Sequence, residues 1–148
     1  MGHILVGLDG SDRAAGVLKA AILLAQSTKR KLVLFRSFGL PPEMPPDVWK
    51  LEEGSLLESL RSHAQDYLNA CASSVPKDLL AEVRVEVGVP WQSACNVAKE
   101  LSADLIVIGS HGHSAFDRLL GTTAAKIVNH AECSVLVVRP ATAGLPLR

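Results

Sequence analysis

Leu105-Ile106-Val107-Ile108 is an unbroken aliphatic run held between Asp104 and Gly109. A run this short, without polar alternation, fits a strand covered on both faces, as in the middle of a parallel sheet. Comparable segments recur along the chain. His3 to Asp9 reads as a first strand, Leu32 to Phe35 as a second running on into Arg36-Ser37-Phe38, and Val135 to Val138 as a last one stopped by Pro140. Val83, Val85 and Val87 alternate with Arg84 and Glu86, which predicts a half-buried strand. Helical spacing fills the intervals: Ala14 to Ala25 after a cap at Ser11 or Asp12, Gly54 to about Ser73, Trp91 to Leu101, and a last helix opening at Gly121-Thr122-Thr123 with a hydroxyl as its N-cap. Strand and helix alternating in this way predict an α/β fold, a five-stranded parallel doubly wound sheet.

Composition agrees with that expectation. The chain is 48% hydrophobic but only 4% aromatic, so its core must be aliphatic. Its 148 residues suit one domain, read as 1–140, with 141–148 as a loose tail. Gly39 to Glu53 carries two Pro-Pro pairs and reads as a stiff loop, with Met44 and Trp49 packing on the second helix or covering a ligand. Fifteen basic residues balance fifteen acidic ones, so no global field draws the chain to nucleic acid or to an anionic membrane. No apolar run approaches a membrane span, and the amino terminus enters a strand at once, so a cytoplasmic location is expected. Cys71, Cys95 and Cys133 show no ligand spacing and read as small buried hydrophobes. His63 reads as a partly buried packing residue beside the apolar stripe of its helix.

The chemistry concentrates after Ile108. Gly109-Ser110-His111-Gly112 lets backbone amides approach a ligand, and Gly121-Thr122-Thr123 leads into a helix whose free N–H groups favour an anion. Both lie at the carboxyl end of a buried strand, where open α/β sheets bind ligands. Asp9 closes the first strand at the same end, placed to meet ribose hydroxyls or to shape the turn that follows. No Walker A loop, dinucleotide fingerprint or nucleophile elbow is present. His111 and His113 alternate across the glycine turn, where they can donate to phosphate, bind a metal with a third ligand, or face solvent.

Two stretches resemble the universal stress protein family. Gly109-x2-Gly112-x8-Gly121-Thr122 is similar to the family's Gly-x2-Gly-x9-Gly-Ser/Thr, one residue shorter in the second gap. Ile4-Leu5-Val6-Gly7-Leu8-Asp9-Gly10-Ser11 looks like its opening strand, with Gly7 where a proline is usual. The resemblance covers nearly the whole chain and implies an adenine nucleotide α-hydrolase-like, Rossmann-like sheet of order 3-2-1-4-5. It also implies ATP or a related adenine nucleotide as ligand, with Mg2+ held mainly by the nucleotide, and a homodimer paired through Val135 to Val138.

The residues that the resemblance marks for the nucleotide are Gly7, Asp9, Ser37, Ile108, Gly109, Ser110, His111, Gly112, His113, Ser114, Gly121, Thr122 and Thr123. Neither residues nor resemblance supply a positioned nucleophile for phosphoryl transfer. The expectation is a nucleotide-binding regulatory protein of the stress response. A dimeric interaction module without a nucleotide, or a slow ATPase, stays open.

Overall fold

The computed structural model describes residues 2–39, 46–110 and 120–139, the stretch 46–55 by its backbone only. Its strands are β1 (His3–Gly7), β2 (Lys31–Phe38), β3 (Leu80–Val87), β4 (Leu105–Gly109) and β5 (Ser134–Val138). They alternate with α1 (Ala14–Thr28), α2 (Pro46–Ala72), α3 (Pro90–Glu100) and α4 (Thr122–His130), and one 3-10 turn (Lys77–Leu79) leads into β3. All pairings are parallel and the order is β3-β2-β1-β4-β5. The expected sheet and strand order are therefore present. β1 sits between β2 and β4, with Leu5 opposite both Val33 and Ile106.

The period of two in a strand sends neighbouring side chains to opposite faces, and here each face has its own core. Ile4, Val6, Leu32, Leu34 and Val107 pack with Val17, Leu18 and Ala21 of α1 and Ala64 and Leu68 of α2. Leu5, Val33, Ile106 and Ile108 pack on the other side with Ala94, Val97 and Ala98 of α3 and Ala124 and Ile127 of α4. Ile4, Leu5, Val6, Ile106 and Val107 are at most 1% exposed, as their unbroken aliphatic runs require.

Four local expectations are corrected. α2 begins at Pro46, inside the segment read as a loop. Proline disrupts a helix interior but costs nothing at its first position, where no N–H is needed; α3 starts on Pro90 in the same way. β3 begins at Leu80, three residues ahead of the visible alternation, because the pairing skips from Leu32↔Leu80 to Val33↔Glu82 and the irregularity breaks the period of two. Third, neither α1 nor α4 has the expected side-chain cap. Their N-cap positions are Arg13 and Gly121, and Ser11 instead serves the turn ahead of α1, its Oγ accepting from the Arg13 N–H at 3.3 Å. Fourth, His63 is exposed. The cysteines are free and partly buried, and burial pushes the Cys95 and Cys133 thiols above their ordinary pKa. Among the described residues no helix is long and apolar enough to cross a membrane.

Candidate functional site

Strand order reverses between β1 and β4, the two strands whose following helices, α1 and α4, lie on opposite faces. Their connections diverge there and leave a crevice at the carboxyl ends. A cleft of about 320 Å3 occupies it. Leu5, Ile106, Ile108, Ala94 and Ile127 form its apolar bed, with Val17 and Phe35 beside them. Polar groups stand round it: Asp9, Ser11 and Arg13 from the β1–α1 turn, Arg36 and Ser37 from the end of β2, and Thr123 from the first turn of α4. A small apolar cavity with a few convergent polar groups is the usual form of a small-molecule site.

Of the residues marked in the sequence, the structure brings Gly7, Asp9, Ser37, Ile108, Gly109, Gly121 and Thr123 to this one cleft. Ser110 and Thr122 are not among its lining residues. Ser110 is buried, at 0% exposure, and its backbone ties three elements together. Its N–H donates to the Val138 carbonyl at 3.1 Å, and its own carbonyl accepts from the Gly121 N–H at 2.7 Å. Among the described residues its Oγ has no hydrogen-bond partner. His111, Gly112, His113 and Ser114 lie outside the described residues, as does Met44, and the Trp49 side chain is likewise not described.

The glycines do different work from one another. A Cβ on Gly7 would stand 3.0 Å from Ile108 Cγ2, and one on Gly109 3.3 Å from Val17 Cγ2. The space these two leave is taken up by the protein's own side chains. At Gly10 the backbone itself favours glycine, with φ +78°, and a Cβ there would meet Arg36 Nη1 at 2.5 Å. That close approach lets the Arg36 guanidinium lie over the Tyr67 ring, 4.9 Å from its centroid.

Asp9 turns the chain after β1: its Oδ1 accepts from the Ser11 N–H at 2.9 Å. Ser37 Oγ donates to the Gly88 carbonyl at 3.3 Å, fastening β2 to the segment that enters α3. On the far side, the first N–H groups of α4 have no partner inside their helix, and its dipole is positive at that end. Gly10 and Arg13 carry no site signal in the sequence, and Arg36 reads there as a strand-end surface charge in preference to a phosphate contact. The Asp9-Gly10-Ser11 turn could have pointed to Gly10, but nothing local distinguishes Arg36 from a strand-end surface charge.

A parallel sheet wound on both faces, with a cleft where its order reverses, defines the class of Rossmann-like, doubly wound α/β folds. Within that class the chain belongs to the universal stress protein family, whose sequence pattern it matches over residues 1–139. It is 31% identical to the universal stress protein Sll1388 of Synechocystis over 150 residues, covering 93% of this chain and 97% of that one. The structure of UspA from Lactobacillus plantarum superposes with a TM-score of 0.76 at 26% identity, covering 93% and 97% of the two chains. A universal stress protein solved in complex with cAMP is also 26% identical, with a TM-score of 0.62 and coverage of 95% and 98%.

Proposed function

We propose that this chain binds ATP or a related adenine nucleotide in the cleft between β1 and β4 and works as a homodimeric regulatory protein of the stress response. The observation that carries this reading is the convergence, round one cavity of about 320 Å3, of an apolar bed, the Asp9 turn and the start of α4. The apolar bed suits a base. Asp9 spends one carboxylate oxygen on Ser11 and has the other for ribose hydroxyls. The amides at the start of α4, with the Thr123 hydroxyl, suit phosphate oxygens. Ser37 supports a purine base with an amino group: its proton goes to the Gly88 carbonyl, so its oxygen offers lone pairs to a donor such as the adenine amino group. The cAMP complex of a relative at 26% identity supports the same ligand class. Mg2+ would be held mainly by the nucleotide's own phosphates.

Dimer formation is proposed through β5, the edge strand beside β4, whose Leu136 is 38% exposed. An aliphatic edge invites pairing with a second copy.

Calorimetric titration of ATP·Mg2+, and separately of GTP·Mg2+, into purified protein stripped of bound small molecules tests the reading. Micromolar binding of ATP with weaker binding of GTP is expected. No heat above background at millimolar ATP would overturn it. That result would favour the dimeric interaction module, a reading supported by the amides of Ser110 and Gly121, both given to the protein's own backbone.

A further inference from the structure

Arg36 and Ser37 are neighbours near the carboxyl end of β2, so their side chains leave opposite faces of the sheet. Ser37 bonds to the Gly88 carbonyl ahead of α3, whereas Arg36 lies over the Tyr67 ring of α2. Arg36 also lines the cleft between β1 and β4, yet the adenine-nucleotide reading gives it nothing to bind. Among the described residues its guanidinium makes no hydrogen bond and meets no carboxylate. A cation–π contact uses the charge and consumes no N–H, so the donors of the fork remain for an anion. Resting on the adenine-nucleotide reading of this cleft, we infer that its preferred ligand carries a second phosphate, on a ribose hydroxyl, and that Arg36 holds it.

Position selects the ribose. A Cβ on Gly10 would meet Arg36 Nη1 at 2.5 Å, so the guanidinium lies against the turn that carries Asp9. Asp9 is the group assigned to ribose hydroxyls, and the start of α4 is the group assigned to the nucleotide's 5′ side. β1 lies between β2 and β4, and neighbouring strands are about 4.8 Å apart, so these two poles flank the ribose at a separation of about 10 Å. A nucleoside phosphorylated on both sides of its ribose bridges that gap, with one phosphate on the α4 amides and the other on Arg36. Doubly wound folds meet a free ribose hydroxyl with an acidic residue and a ribose phosphate with an arginine. Both are present here: Asp9 accepts from the hydroxyl that stays free, and the arginine fork takes the phosphate in charge-assisted hydrogen bonds. Asp9 is exposed, so solvent and salt screen its repulsion of that phosphate. A nucleotide with both ribose hydroxyls free leaves the fork unused.

ADP, adenosine 3′,5′-bisphosphate and adenosine 2′,5′-bisphosphate are isomers that differ only in where the second phosphate is attached. Each is titrated calorimetrically into protein stripped of bound small molecules, first the wild type and then Arg36→Gln and Arg36→Lys, once melting curves show each variant to be folded. One of the bisphosphates should bind the wild type at least about tenfold more tightly than ADP, the worth of one charge-assisted contact. Arg36→Gln should lose that preference. Arg36→Lys, which keeps the charge without the planar fork, should retain part of it. Wild-type protein that binds ADP as tightly as both bisphosphates, or a preference that persists undiminished in Arg36→Gln, would overturn the inference and leave the adenine-nucleotide reading standing. No binding of any of the three would overturn both.

Discussion

The phenol of Tyr67 stands on α2 with the Arg36 guanidinium over its ring, while its hydroxyl is buried with no hydrogen-bond partner of good geometry. Burial first, and the adjacent Cys71 thiol second, push its pKa up to about 12. The folded chain therefore holds the phenolic proton more tightly than the unfolded chain, whose tyrosine titrates near pH ~10. The stability this contributes is complete below pH ~10 and is lost as pH rises toward about 12. Tyr67→Phe should flatten that alkaline loss while changing neutral-pH stability by less than about 1 kcal/mol, since the hydroxyl has no hydrogen-bond partner of good geometry among the described residues. Urea midpoints for both proteins, from neutral pH to about pH 11, check this; an equal alkaline decline in both would refute it. Nothing in the sequence marks Tyr67 or Arg36. Their pairing depends on Gly10 and on the distance between β2 and α2, which only the packed fold sets.

At the scale of elements, the first turn of α4 is where stability and binding part company. Thr123 is exposed on that turn and lines the cleft. Thr123→Glu puts a negative charge at the positive end of the helix and should stabilise the fold by about 0.3–1 kcal/mol. The same charge should repel a nucleotide's phosphates and weaken ATP binding. Thermal melting and titration on one protein separate the two effects. A variant that melts higher and binds ATP as well as the wild type would exclude this turn from the phosphate site. Central elements were the easiest to read from sequence: Ile106 to Ile108 are buried on both faces of the sheet, and the run carries its own signature. Pro46 and Pro90 were harder, because a proline reads the same in a loop and in the first turn of a helix. β3 was obscured at its start by a pairing irregularity that local alternation cannot reveal.

For the whole molecule, the proposed dimer rests on β5 and makes a direct prediction. Leu136→Lys should convert the protein to monomers in sedimentation velocity, at a folding cost within about 0.5 kcal/mol, as for ordinary surface changes. A dimer that persists would move the interface elsewhere. The class of fold was legible in the chain because most strands and helices each follow a local rule of spacing, and the central strands β1, β2 and β4 are also buried. The region of the site was legible too, since strand ends and glycine turns are local features at Asp9, Gly109 and Gly121. The roles of individual residues were decided by the tertiary structure. Gly7 and Gly109 meet the side chains of Ile108 and Val17, and Ser110 joins β4, β5 and α4 through its backbone. A sequence encodes the period of each segment. Which faces then meet across the sheet, and at what distance, depends on all the segments packing at once.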